Sequence, residues 1–457
     1  MDATDLCFAG AAEQARLVAA GEVSSRELTE AVLARVDRLD PILNAFRVVF
    51  AERALTEAAQ ADARRGAGDQ RPLLGVPVAI KDDTDVAGEV TAMGSLATNS
   101  PAPRDAEVVR ALREAGAIVV GKTHVSELTI WPFTETLAFG ATRNPWSLDH
   151  TPGGSSGGTG AAVAAGMVGV GLGSDGGGSI RIPSAFCGLF GIKPQRDRIS
   201  LAPKREGWHG MSVSGPLARR VADAALFLQV AAGGGGFVEA AAREPGRLRI
   251  AISTGLPPGV ITRLGGEQRT AIERTAELLR SLGHEVAERE IDYGPAAWPS
   301  VAVRYLRGIH DDARAVPHPE RLERRTRNLV RLAAAIPAGQ VAKARAREPA
   351  IAARVNAIFE HADVALLPGP AGAPFRVGQF QDHGAMWTLN TIVAKVPWYS
   401  VFNSTGQPAA SVPAGFDAAG LPLAVQLVGR PGDEATLLSL AAQMERARPW
   451  ADRRPAL

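Results

Sequence analysis

Three glycine-rich stretches of this chain carry residue types that could do covalent or phosphate chemistry. Gly153-Gly-Ser-Ser-Gly157 satisfies GxSxG, which in α/β-hydrolases sets a nucleophilic serine on a sharp strand-to-helix turn. That reading makes Ser155 the nucleophile of a serine esterase. It requires an acid and then a histidine downstream, and only His361 and His383 lie late enough, neither in a distinctive motif. Gly171-Leu-Gly-Ser-Asp-Gly176 satisfies GxGxxG, but a dinucleotide fingerprint must open a helix whose N-terminus meets the pyrophosphate. Gly177, Gly178 and Pro183 follow instead, and they start helices poorly. Gly116-Ala-Ile-Val-Val-Gly-Lys-Thr123 satisfies GxxxxGK[ST], yet Ala-Ile-Val-Val has the composition of a buried strand rather than of a phosphate-cradling loop. What remains is a set of hydroxyls at 155, 156 and 179 in a Gly-Ser stretch running from Gly153 to Gly191. A serine hydroxyl is a weak nucleophile until a base takes its proton.

The elements around these residues are legible from periodicity. Ser24-Ser-Arg-Glu27 is a capping box, and Leu28, Val32, Leu33, Val36 and Leu39 follow at helical spacing, with Pro41 expected to end the helix. Glu52 to Arg65 is a second helix, closed by Gly66. Leu73 to Ile80 is short, apolar and β-branched, a buried strand with Lys81 at its C-terminal end. A helix over 107–115 and a strand over 117–120 follow, and this alternation predicts an α/β sheet with parallel pairs. Further strands are expected at Leu248–Ile252, Val364–Leu367 and Leu423–Val428, with Asp433 capping a last helix. No repeat or clean linker divides the chain. We read one domain: N-terminal helices over 1–70, a core over 71–232, a mostly helical variable region over 233–385, and a C-terminal return to the core over 386–457.

Taken together the motifs resemble the amidase signature family. The resemblance begins at Gly75-Val-Pro-Val-Ala-Ile-Lys-Asp-Asp83 and continues through Gly121-Lys-Thr-His124, Asn144-Pro-Trp146, Gly153–Gly158, Gly173–Arg181 and Ala185–Pro194. Ser214-Gly-Pro-Leu217, Asn403–Ala409 and Leu421–Arg430 extend it, so weaker matches cover most of the chain. It implies an α/β amidase-signature fold, a large mixed central sheet covered by helices on both faces. It also implies a catalytic triad of Lys81 as base, Ser155 in a cis peptide as relay, and Ser179 as nucleophile, 24 positions after the relay. Ser156 rivals Ser155 for the relay. The oxyanion would be received by the backbone N–H groups of Gly176, Gly177 and Gly178; the family usually has Thr or another side chain where this chain has Gly176.

The implied chemistry makes demands on the residues. Lysine is a base only when neutral, and its ordinary pKa is about 10.4, so the site must lower it by burial. Asp82 should point to the opposite strand face from Lys81, and Asp83 back to the same side if the strand continued. Asp175 and Arg181 are expected to form an ion pair bracing the nucleophile loop, and Cys187 to be a packed core thiol. By resemblance the segment Glu127–Phe133 lines the substrate pocket through Thr129, Ile130 and Trp131, with Trp387, Trp398 and Tyr399 as further candidates for a wall.

Composition bounds the rest. With 457 residues and 46% hydrophobic content the chain can bury a large core. A formal net charge of +2 advertises no nucleic-acid partner, and Arg321–Arg327 reads as a solvated helix face. Two separated cysteines make no disulfide framework. The N-terminus has no signal-peptide pattern, and Gly160–Gly173 is too short to span a bilayer, so a cytoplasmic chain without membrane partner is expected. Neither metal nor cofactor is called for. The expected partner is a small-molecule amide, anilide or carbamate, and the expected state a monomer or homodimer. An amidotransferase A subunit working with partner subunits is the competing identity within the family, though the 199–210 segment looks more like stand-alone amidases.

Overall fold

The computed structural model describes residues 1–457. Eleven strands form one sheet, in the order Phe46–Val49, Ile118–Thr123, Pro77–Lys81, Val170–Asp175, Val213–Ala218, Phe190–Lys193, Ala409–Phe416, Pro422–Gly429, Val364–Pro368, Arg249–Ile252, Glu285–Glu288. Pairing is mixed. Pro77–Lys81 runs parallel to both its neighbours, and Arg249–Ile252 parallel to both of its own; the remaining pairs are antiparallel.

The period-two rule shows why the central strands are apolar throughout: each face meets its own layer. Val78 and Ile80 enter a core with Val425, Leu427 and the helices Val221–Ala231, Gly266–Ser281 and Glu434–Ala447. Ala79, Ile118 and Val120 face the opposite way, against the helices Ser25–Leu43, Ala51–Gly66 and Gly157–Ala164. Further along, Ala365, Leu367 and Val428 face a third cluster built on Ala297–Ala315, Arg324–Ala334 and Ala385–Lys395.

The capping box at Ser24 is present, with Glu27 N–H bonded to Ser24 Oγ at 3.1 Å and the Glu27 carboxylate returning to Ser24 N–H at 2.8 Å. Pro41 does not end this helix, which runs to Leu43. A proline this near the end forfeits one i→i−4 bond, and the helix closes at Asn44, left-handed at φ 50°, whose N–H reaches Asp40 O at 2.7 Å. Asp433 caps the last helix through Thr436 N–H at 3.1 Å. In the 233–385 region the expected strands appear as Arg249–Ile252 and Val364–Pro368, an unexpected one, Glu285–Glu288, is added, and all three join the common sheet. Nor is Arg321–Arg327 merely solvated, because the Arg325 guanidinium lies 5.1 Å from the Phe133 ring centroid. The two cysteines are free and buried.

Leu427 tests the importance of the paired faces, since it is fully buried at mid-sheet. Leu427→Ala is expected to cost about 2–5 kcal/mol, measured as a lowered urea midpoint followed by circular dichroism.

Candidate active site

Lys81 ends the strand Pro77–Lys81 and is fully buried. Its Nζ donates to Ser155 Oγ at 2.7 Å and to Ser174 Oγ at 2.7 Å. The Ser174 hydroxyl donates in turn to Asp83, whose Oδ2 lies 3.3 Å from the amine. Burial pushes the Lys81 pKa below the ordinary lysine value. Asp83, by charge and hydrogen bond, and Asp175 more weakly, pull the other way without overcoming it. Asp82 faces away, accepting from Arg47 Nε at 2.6 Å and lying 2.9 Å from Lys122 Nζ. Lys122, the lysine of the P-loop-like motif, is thus buried in a strand and paired, not offered to a phosphate.

The Gly154–Ser155 peptide is cis. Gly154 has no room for a side chain: a Cβ there would stand 2.4 Å from Trp131 O and 2.6 Å from Phe133 N. Ser156 turns elsewhere, its Oγ 3.3 Å from Ser174 O and 3.4 Å from Ser174 N, so Ser155 and not Ser156 meets the amine. The Ser156 N–H donates to Ser179 O at 3.3 Å, which joins the two serine loops. No histidine meets Ser155: His361 is exposed, and His383 stacks on Trp387 at 3.6 Å between centroids.

Asp175 holds the loop that carries Ser179 from below. Its carboxylate accepts from Gly178 N–H at 2.6 Å, Ile180 N–H at 3.2 Å, Arg181 Nε at 2.9 Å and Asn403 Nδ2 at 2.8 Å. Arg181 continues to Gln426 Oε1 at 2.6 Å, Asn403 Oδ1 at 2.7 Å and Tyr399 O at 3.1 Å. All four side chains are buried. Burial opposes ionisation of Asp175, but the Arg181 charge and the bonds from Arg181 and Asn403 hold its carboxyl well below the usual carboxylate range. One expectation is corrected here. The Gly178 N–H is committed to Asp175, whereas those of Gly176, Gly177 and Ser179 find no acceptor in the protein. The Ser179 hydroxyl is likewise without a protein partner. Cys187 is fully buried, 3.4 Å from Pro152 O, and burial raises its thiol pKa, as suits a packing residue.

Two cavities meet at Ser179. A polar cleft of about 100 Å³ holds Asp83, Thr129, Ser155, Ser174 and Gly176. An apolar pocket of about 280 Å³ is walled by Ile130, Pro132, Ile182, Trp298, Tyr305 and Val393. Thr129 and Ile130 therefore line the site, on different sides. Trp131 does not: it is buried, stacked on Phe133 at 6.0 Å and covered by Arg325 at 5.4 Å. The late aromatics also stand apart, Trp398 donating to Gly255 O at 3.0 Å and Tyr399 packed beneath Arg181.

The missed wall comes from the helices Ala297–Ala315 and Ala385–Lys395 and from Trp208. Its signal was the spacing Trp298, Val301, Tyr305 and Leu389, Ile392, Val393, two apolar stripes of ordinary amphipathic helices. Ser174, inside a quoted motif, was missed because neighbouring strand residues alternate and its side was unassigned.

Removing Arg181 strands Asp175 as a buried unpaired charge. Arg181→Met is expected to destabilise the fold by about 3–5 kcal/mol, read in chemical denaturation, with Arg181→Lys recovering only part because it cannot reach four acceptors at once.

The amidase family profile matches residues 27–438. A protein of Mycobacterium tuberculosis (strain ATCC 25618 / H37Rv) named "Putative amidase AmiB2" is 56% identical over 461 residues, covering all of both chains. Among solved structures, 6-aminohexanoate cyclic dimer hydrolase complexed with substrate superposes with a TM-score of 0.85 at 30% identity, over 98% of this chain and 99% of that one. A bacterial aryl acylamidase of the amidase signature enzymes gives a TM-score of 0.85 at 25% identity, over 97% of each chain. With its eleven-stranded sheet and its family match across most of its length, the chain belongs to the amidase family and is a hydrolase of amides.

Proposed function

We propose that this amidase cleaves the C–N bond of anilides, aliphatic amides or carbamates through a seryl acyl-enzyme, with Lys81 as base, Ser155 as relay and Ser179 as nucleophile. The observation that carries the reading is the 2.7 Å contact between the buried Lys81 amine and Ser155 Oγ, at the edge of the cleft that also holds Ser179. Neutral Lys81 offers its lone pair to the Ser155 hydroxyl, which turns its own oxygen toward Ser179. As Ser179 Oγ attacks the carbonyl carbon, its proton passes to Ser155 and the Ser155 proton to Lys81. The carbonyl oxygen becomes an oxyanion, received by the free N–H groups of Gly176 and Gly177. Collapse breaks the C–N bond, and the proton returns through Ser155 to the leaving amine. Water, deprotonated by the same route, attacks the acyl-enzyme and releases the acid and Ser179.

The substrate range follows from the walls. An apolar pocket of about 280 Å³ suits an aryl or alkyl arm, and the likeness to an aryl acylamidase and to a 6-aminohexanoate cyclic dimer hydrolase supports arms of that kind.

A fluorophosphonate probe is expected to label Ser179, located by peptide mass spectrometry; labelling confined to Ser155 or Ser156 contradicts the assignment. Lys81→Ala is expected to lower anilide turnover by about 10²–10⁴-fold with the circular dichroism spectrum unchanged, and near-normal turnover at neutral pH removes Lys81 as base. Activity needs the neutral amine, so kcat/KM falls as pH drops through the Lys81 pKa. Asp83 raises that pKa, so Asp83→Asn is expected to move the acid limb of the pH profile to lower pH. A shift to higher pH contradicts the role of Lys81.

A further inference from the structure

Only two residues line both the polar cleft and the apolar pocket: Ser179 and Trp208. Trp208 is buried, and it is held from several directions. Its indole Nε1–H donates to Asp312 Oδ2 at 2.8 Å, and the ring meets Tyr305 edge-on at 5.1 Å. The next carbonyl, His209 O, accepts from Arg304 Nη2 at 2.8 Å and Nε at 3.1 Å. Arg304, Tyr305, Gly308 and Asp312 are one face of the helix Ala297–Ala315, at the spacing of successive turns. The backbone is also unusual, since Trp208 and His209 are both left-handed, at φ 47° and 54°. Two such residues in succession persist only where the surroundings over-determine them, and such places cluster at functional sites.

The ring fits because two side chains are missing. A Cβ on Gly176 would stand 2.7 Å from Trp208 Cε3, and one on Gly308 would stand 2.7 Å from Cγ and Cδ1. Gly176 belongs to the nucleophile loop and Gly308 to the helix behind the ring, so the indole is clamped between the reacting centre and the helix that walls the pocket.

We propose that Trp208 is a specificity-determining partition: its indole divides the space around Ser179 and limits the size of the substrate arm admitted on the polar side. The inference rests on the acyl-transfer reading at Ser179 and deepens it. A cleaved amide has two arms, one on each side of the scissile bond. The larger apolar arm takes the 280 Å³ pocket, and the arm across the indole is confined to about 100 Å³ beside Thr129, Ser174 and Asp312. The preferred substrate is therefore lopsided, with one bulky apolar arm and one small or polar arm. Asp312 acts through Trp208 as a positioning residue.

The test uses the full-length enzyme and two substrate series. One is a set of p-nitroanilides with acyl groups from acetyl to phenylacetyl; the other is a set of hexanamides with nitrogen substituents from hydrogen to phenyl. Trp208→Ala is expected to raise the bulky-to-small ratio of kcat/KM at least tenfold in one series, while the fluorophosphonate still labels Ser179. Trp208→Phe, which keeps a smaller ring between the two glycines, is expected to raise that ratio at least threefold, and it carries the test should Trp208→Ala fail to fold. Asp312→Asn keeps an acceptor for the indole and is expected to shift the ratio less than Asp312→Leu, which shifts it in the direction of Trp208→Ala. Ratios within twofold of wild type in both series, with Ser179 still labelled, overturn the partition. Failure of Ser179 to label in the unaltered enzyme overturns the acyl-transfer reading instead.

Discussion

The site is organised around the withdrawal of one amine from water. Taking an ammonium out of water costs several kcal/mol even in a relaxed protein interior, and the cost is met here by shedding part of the affinity for the proton rather than by full pairing. Lys81 has two hydroxyls as neighbours, Ser155 and Ser174, and its nearest carboxylate, Asp83, is reached directly at 3.3 Å and through Ser174. A carboxylate in bidentate contact would hold the proton in place. Hydroxyls solvate the amine without fixing its charge, and Asp83 adjusts the balance from the rim. The strand imposes this division: Asp82, one residue on, faces Arg47 and Lys122 and takes no part.

The remainder of the molecule separates chemistry from selection. The groups around Lys81, Ser155 and Ser179 come from strand ends and the helices Gly157–Ala164 and Arg181–Cys187, packed between the sheet and its neighbouring layer. Most of the apolar pocket's wall comes from Ala297–Ala315 and Ala385–Lys395, which pack as a separate cluster over the far half of the sheet, while Ile130, Pro132 and Ile182 close it on the side of Ser179. Such a division lets selectivity drift by repacking two helices while the reacting groups keep their geometry.

Much of this was legible in the sequence, and the gaps have physical causes. Strand ends with alternating faces placed Lys81, Asp82 and Asp83 correctly, because a strand residue's side is fixed by parity once one neighbour is known. The Asp175–Arg181 pair was legible because opposite charges six positions apart flank a short loop. Pro41 misled, since its ring gives up only its own bond to the carbonyl four residues back, and the last turn still closes through Asn44 N–H on Asp40 O. Trp131 misled for another reason: a tryptophan next to a lining residue looks like a wall, but the chain bends as it leaves the 3-10 turn Glu127–Thr129, and Ile130 lines the pocket while Trp131 enters the core. Trp208 was invisible because its role depends on two glycines, 32 positions before it and 100 after, that have no side chains to announce a contact.

The brace beneath the Ser179 loop reaches far along the chain. Arg181 bonds to Tyr399, Asn403 and Gln426, groups 218, 222 and 245 positions away in sequence. During synthesis, Ser179 therefore leaves the ribosome long before the partners that set its loop. A half-made polypeptide holds the serines and the lysine but not the partners of Arg181, so the loop gains its brace only once the C-terminal segments dock.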